Sequence, residues 1–562
     1  MSLHFDAGAT DAAAWYGPRI GLIERQGREE PAMRKRITWR IVVLLIATVA
    51  AGFVEHFSKR RDETGARSDA PRATAEMPAV ESATPTPLPT RHWRLGTLDL
   101  ESCELARRNS GASAAAWCTD FDVAEDPARP NGRHIALHLA VIRADAAEAD
   151  ADLVAMLAGG PGEAATESFA DTRIYAEVLR HHNVLLLDQR GTGHSHPLLC
   201  DETAETARGQ NVDDAAPDLD AMRKRVASCL EEVRRNADPR YYTTTIAVGD
   251  LEKVREALGA PQLDLIGVSY GTRMAQQYLM RHPEAVGSVV LDSPAPNQMI
   301  IGADFAANLE AALKTDFDAC VATPACRKAY GDPMRVLRDL RDALREHPHE
   351  VSFRDPRSYE TVSRMLTAYS LAAVVRMFAY EPEAAALLPL SIDAAARGDV
   401  GPLLGQERLL SYDLSGDMNS GLWLSVICSE DADQLRERPQ DADTILGNRP
   451  IENIRAQCDV WPHGAVPDDF HSPLKSDKPV LILSGSRDPV TPPKYGAEIM
   501  QGLTRARQVV LDGQSHSVFV RGCVPKLIAQ FIDDPEPARL DTRCADRLGP
   551  TPAFVDFNGA TP

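Results

Sequence analysis

The chain has no Cys-x-x-Cys pair, no stretch in which basic residues alternate with aromatics, and no apolar run of the ~20 residues that a membrane-spanning helix needs. The first absence, with cysteines whose spacings do not alternate with histidines, argues against a zinc-type site, so no metal is expected. The second, with a formal net charge of -20, argues against a nucleic-acid partner, because an acidic surface repels phosphate. The third leaves only Ile41 to Val54, an apolar run of 14 residues preceded by Arg34-Lys35-Arg36 and Arg40. That order of charge and apolar run is the pattern of an export signal, and Thr48, Ala50, Ala51 and Gly52 are small enough for cleavage nearby. Lys59-Arg60-Arg61 just after the run keeps an uncleaved membrane anchor as the alternative. Met33, directly before the basic cluster, reads as the true start; a long n-region beginning at Met1 is the other reading.

What is present fits an exported, periplasmic, secreted or outward-facing anchored globular protein. A hydrophobic fraction of 44% and a charged fraction of 25% are those of a soluble fold, and 562 residues suffice for one large domain with an insertion or for several ordinary ones. Residues 1–62 form an N-terminal extension holding the apolar run. Residues 63–92, rich in Ala, Pro, Thr and Glu without apolar periodicity, read as a disordered linker. Ten cysteines in an exported chain suggest five disulfides. Proximity pairs Cys103 with Cys118, Cys200 with Cys229, Cys320 with Cys326, Cys428 with Cys458, and Cys523 with Cys544.

The chemistry concentrates at Gly267-Val268-Ser269-Tyr270-Gly271, where a serine stands between two glycines at the junction of an apolar strand, Leu263 to Ile266, and a helical pattern. A strand that turns sharply into a helix holds a nucleophile in a strained conformation and tolerates no bulk two residues before or after it. A serine hydroxyl is a poor nucleophile at neutral pH, so it needs a histidine base and an acid, which follow in the order Ser, Asp, His in such folds. Asp488 stands in the turn after the apolar strand Val480 to Leu483, and His516 in the loop after Gln508 to Leu511. For the oxyanion, the glycine-rich Ala158-Gly159-Gly160-Pro161-Gly162 follows the strand Asp152 to Leu157. The expected donors are the backbone NH groups of Gly160 and Tyr270.

These segments, with Asp188-Gln189-Arg190-Gly191-Thr192-Gly193-His194-Ser195, resemble the proline iminopeptidase and tripeptidyl aminopeptidase family of α/β-hydrolases, serine peptidases. The match runs from about Trp93 to Cys544. Members often carry His before Gly-Gly-Pro-Gly, where this chain has Ala158. The Asp188 to Ser195 segment itself reads as structural, with Asp188 and Arg190 as a candidate buried ion pair.

The fold class expected is α/β: an α/β-hydrolase fold, a mainly parallel sheet with an inserted, mostly helical cap domain. Candidate strands are His134 to Val141, Asp152 to Leu157, Asn183 to Leu187, Leu263 to Ile266, Ser288 to Leu291, Val480 to Leu483 and Gln508 to Leu511. Roughly 190 residues separate the fifth from the sixth, far more than an ordinary connection. Helical patterns at Phe305 to Leu313, Pro333 to Leu344 and Tyr359 to Tyr380 fill that gap. The expected boundaries are therefore 93–296 for the first part of the core, 297–472 for the cap and 473–562 for the second part with its C-terminal disulfide. The resemblance implies cap carboxylates that bind the free α-ammonium of a peptide, which would place Glu430 facing the substrate.

The function expected is an exported serine hydrolase, an aminopeptidase that releases short N-terminal pieces through an acyl-enzyme and needs no cofactor. Its partner is then a peptide with a free N-terminus. A carboxylic-ester hydrolase uses the same triad equally well, and an inactive envelope-binding module is the reading from a different class.

Overall fold

Alternation of polar and apolar residues makes the first strands one-sided. The structure, a computed structural model, describes residues 91–107, 111–146, 152–199, 218–415 and 418–560, all within the unit Leu88–Pro562. The apolar run 41–54, the linker up to residue 90 and Cys200 lie outside them. Strands β1 (His92–Leu95), β2 (Leu98–Ala106), β3 (Ser113–Ala124) and β4 (His134–Ile142) pair antiparallel in that order. The sequence reading starts its strands at His134 and misses the first three. Their apolar side chains are interleaved with polar and charged ones, as in Glu101-Ser102-Cys103-Glu104, so no buried run announces them.

The next strands are mostly apolar along their length, because helices cover both faces. Strands β5 (Leu153–Leu157), β6 (Asn183–Leu187), β7 (Leu263–Val268) and β8 (Val286–Asp292) are parallel, and β4 joins β6 antiparallel. The helix Thr244–Leu258 buries Val248, Leu251, Val254 and Leu258 against one face and stops at Gly259, whose φ of 70° is left-handed. Each such side chain contributes about 1.5–3 kcal/mol relative to exposure. On the other face the helix Val524–Asp533 buries Leu527, Ile528, Phe531 and Ile532.

Between β8 and the next core strand the chain builds helices Phe305–Ala322, Pro333–Glu346, Ala368–Ala379, Leu388–Ala396, Gly401–Ser415, Ser420–Glu430 and Arg449–Cys458. It also forms an antiparallel pair of strands, β9 (His349–Arg354) and β10 (Thr361–Leu366). The expected helix over Tyr359 to Tyr380 is thus corrected: its first part is β10, and the helix starts only after Thr367, which makes a reciprocal cap with Ser370. Leu309, Phe317, Leu337, Leu371, Phe378 and Leu403 give this insertion a core of its own. The helix Ser420–Glu430 instead packs Leu422, Leu424, Val426 and Ile427 into the main core.

Strands β11 (Val480–Gly485) and β12 (Ala506–Leu511) close the sheet, whose order is β1-β2-β3-β4-β6-β5-β7-β8-β11-β12. The register sets Leu157 beside Gly267, Val268 beside Asp292 and Asp292 beside Leu483, so the carboxyl ends of β5, β7, β8 and β11 meet at one edge. That edge is where α/β sheets bind ligands. Disulfides join Cys103 to Cys118, Cys320 to Cys326, Cys428 to Cys458 and Cys523 to Cys544. Cys229 is disulfide-bonded as well.

Candidate active site

The loop after β7 is as tight as its glycines suggest. Ser269 has φ 54° and ψ -119°, a conformation that costs a non-glycine residue roughly 1–3 kcal/mol, and the helix Tyr270–Arg281 starts at the next residue. A Cβ on Gly267 would stand 2.5 Å from the Gly271 carbonyl oxygen, and one on Gly271 only 2.1 Å from that of Leu157. Both glycines are therefore required by backbone that cannot move aside.

The structure brings Ser269, His516 and Asp488 together. His516 Nδ1 lies 2.8 Å from Asp488 Oδ2, and Nε2 lies 3.0 Å from Ser269 Oγ. A carboxylate only accepts, so Nδ1 carries the proton and Nε2 is left to accept from the serine hydroxyl. Asp488 Oδ1 also accepts from the NH groups of Val490 and Thr491, each at 2.8 Å. Burial alone would raise its pKa, but the His516 charge and these hydrogen bonds outweigh it and hold the carboxyl below its ordinary value. For His516, burial disfavours the charged ring, yet Asp488 prevails and raises its pKa above the ordinary histidine value. Such a pair can accept a proton from the serine, stabilise the imidazolium and return the proton to a leaving group.

Two further residues of this edge have no signature in the sequence reading. Asp292, the last residue of β8, accepts from the NH groups of Val518 at 3.0 Å and Phe519 at 3.2 Å, and so holds the loop that carries His516. Burial pushes its pKa up to about 7 against those two bonds. Tyr380 packs its ring edge-on to His516, with centroids 5.4 Å apart, and its carbonyl accepts from the His516 NH at 3.2 Å. In the sequence Asp292 directly follows the expected strand Ser288 to Leu291, with nothing further to mark it.

Gly160, with φ 101°, and Tyr270, first residue of its helix, sit on adjoining carboxyl-end loops. The NH of the neighbouring Gly159 donates to Glu163 Oε2 at 3.2 Å. The Asp188 to Ser195 segment holds this edge in place, but not through the expected pair. Arg190 binds Asp250 with two hydrogen bonds of 2.6 and 2.9 Å, while Asp188 accepts from Thr166 N at 2.9 Å and His194 N at 3.0 Å. The partner of Arg190 stands 60 residues on, beyond any local pattern.

The expectation for Glu430 is corrected too. Its side chain is fully buried; Oε1 accepts from Thr244 N at 2.7 Å and Oε2 from Thr244 Oγ1 at 2.9 Å. Arg273 stands 3.9 Å from it and 2.8 Å from Asp431. Burial pushes the Glu430 pKa up to about 8 despite Arg273. Glu430 thus ties the helix Ser420–Glu430 to the core, and it is not among the residues that line the cavity of the insertion.

The helices of the insertion border a cavity of about 1060 Å³, lined among others by Phe305, Arg376, Tyr380, Trp423 and Asn453. Tyr380 joins its wall to His516, and on another side Asn419, which leads into the helix bearing Trp423, donates to the Gly162 carbonyl at 2.9 Å.

The chain is similar in sequence to known proteins. Serine protease Hip1 from Mycobacterium tuberculosis is 25% identical over 461 residues, 74% of this chain and 85% of that protein. Tripeptidyl aminopeptidase from Streptomyces lividans is 24% identical over 70% of this chain and 77% of its own length. Carboxylesterase B from Mycobacterium tuberculosis is 26% identical over 514 residues, 84% of this chain and 94% of that protein. The family described as alpha/beta hydrolase fold matches residues 152–522, from β5 past His516, and by that match this chain belongs to the α/β-hydrolase family and is a hydrolase of that fold.

Proposed function

We propose that this chain is an exported serine hydrolase that removes short pieces from the N-termini of peptides through an acyl-enzyme. Ser269 Oγ attacks the scissile carbonyl while His516 takes its proton, and the oxyanion is held by the NH groups of Gly160 and Tyr270. His516 then protonates the leaving amine as the C–N bond breaks. Water, deprotonated by the same ring, hydrolyses the ester and restores Ser269. Asp488 keeps His516 in the tautomer and orientation both steps need.

The observation that carries this reading is the unbroken chain from Asp488 through His516 to Ser269 at 2.8 and 3.0 Å, anchored on a strained elbow. Relatives named as a serine protease and a tripeptidyl aminopeptidase favour peptides; one named carboxylesterase B favours esters as the second reading. Four disulfides among the described residues suit an oxidising compartment.

A fluorophosphonate probe should label the wild type and not Ser269→Ala; labelling of both, or neither, removes the serine mechanism. Aminoacyl-anilides, their N-blocked forms and simple esters then separate the readings. Turnover of free-amino anilides well above blocked ones supports the aminopeptidase, and turnover of esters alone supports the esterase.

A further inference from the structure

The cavity wall carries several arginines, and all but one are committed. Arg341 pairs with Asp443 at 3.0 Å, Arg345 with Asp342 at 3.2 Å and Arg449 with Glu452 at 2.8 Å. The remaining wall carboxylate, Glu407, is met by Arg364 at 3.2 Å. Arg376 differs. Its guanidinium lies 4.3 Å from the centroid of the Phe305 ring and 5.9 Å from that of Tyr380, and Nη2 stands 3.3 Å from the Tyr380 hydroxyl. Among the described residues no carboxylate is within ion-pair distance of it. Aromatic rings beside a guanidinium fix it and strip water while leaving in-plane NH groups to donate. Such a fork is matched by a carboxylate, bound through two parallel hydrogen bonds.

Its position says which carboxylate. The Tyr380 ring that Arg376 faces is the ring that packs on His516, at 5.4 Å between centroids. In the mechanism proposed above, His516 hands its proton to the leaving amine, so the side of the site next to His516 receives the leaving piece. Extended chain advances about 3.5 Å per residue, so one to three residues reach from the scissile bond to the guanidinium. A cavity of about 1060 Å³ has room for such a piece.

We infer that Arg376 binds the C-terminal carboxylate of short peptides, making this a hydrolase of oligopeptides with a free C-terminus whose leaving piece is one to three residues long. The inference rests on the peptidase reading for the identity of the leaving piece, and its test does not require cleavage.

On the Ser269→Ala protein, calorimetric titration with tetra-alanine as the free acid and as the C-terminal amide measures recognition alone. The acid should bind at least tenfold more tightly than the amide. Adding Arg376→Met should abolish that preference by weakening the acid and leaving the amide as before. Equal binding of acid and amide, a preference that survives Arg376→Met, or no binding of either peptide overturns the inference. If the Arg376→Met protein fails to fold, Arg376→Lys keeps the charge and loses the fork; the preference should then fall severalfold, and an unchanged preference overturns the inference. A preference that holds while the wild type cleaves no peptide would reject the peptidase reading and leave carboxylate recognition standing. Cleavage without the preference would do the reverse.

Discussion

Two buried acid groups in this protein answer the same environment in opposite ways. Asp488 and Glu430 are both fully shielded at their side chains, yet the first has its pKa lowered and the second is pushed up to about 8. Asp488 is hydrogen-bonded by His516 and takes two backbone NH groups on one oxygen. Glu430 shares a single arginine, Arg273, with Asp431, which holds it at the shorter distance of 2.8 against 3.9 Å. Burial pushes both of these carboxyls upward, and at this pair of sites the donors around each one set the opposite outcomes. One site is arranged to keep a charge beside a base, the other to join two helices.

The largest effect that would break this contrast comes from Asp488→Asn. The amide cannot hold the Nδ1–H tautomer, so kcat should fall about 10⁴-fold while the fold persists. A loss below tenfold, measured on the best substrate of the anilide and ester panel, would deny Asp488 its role. Next comes pH. Because the pKa of His516 is raised, its neutral, basic form is lost as pH falls through a value above the ordinary 6.5 or so, and kcat/KM should fall along an acid limb centred there. A limb below pH 6 would mean that burial wins over Asp488.

A smaller effect is expected from Asp292→Asn, which puts an amide opposite the Val518 and Phe519 NH groups; kcat should drop roughly tenfold through misplacement of the His516 loop. An unchanged kcat would leave Asp292 with the fold alone. The smallest catalytic effect belongs to Glu430→Gln, under about threefold in kcat and KM. Its signature is in stability. A folded pKa of about 8, above the unfolded value of 4.5, means a contribution that is complete below pH 4.5 and is lost as pH rises toward 8. Thermal unfolding of the wild type should weaken across that window and that of the variant should weaken less; parallel curves would contradict the raised pKa.

Legibility in the sequence followed the range over which each signal acts. Ser269, Asp488 and His516 each stand just after an apolar run, so strand, turn and functional residue are contiguous, and the register of the parallel strands does the assembly. Glu430 is also near a cysteine and an acid in sequence, but its partners Thr244 and Arg273 come from 186 and 157 residues away, and no local pattern encodes that it points inward. Arg190 misled for the same reason. The missing strands β1 to β3 failed differently: one face stays polar and the other is filled by residues as small as Ala114 and Ala116, which leaves the alternation faint. Arg376 and Tyr380 stood inside a stretch read as one helix, and only the cap's packing reveals that its end reaches His516.

The bond from the His516 NH to the Tyr380 carbonyl makes the cap a mechanical support of the base. The helix Ala368–Ala379 ends one residue earlier, so lifting it to admit a substrate would pull on the backbone of the proton carrier itself. A displacement of that helix would therefore be felt at the ring that faces Ser269 and Asp488, so the fit of the insertion on the core and the alignment of the three residues are one requirement rather than two.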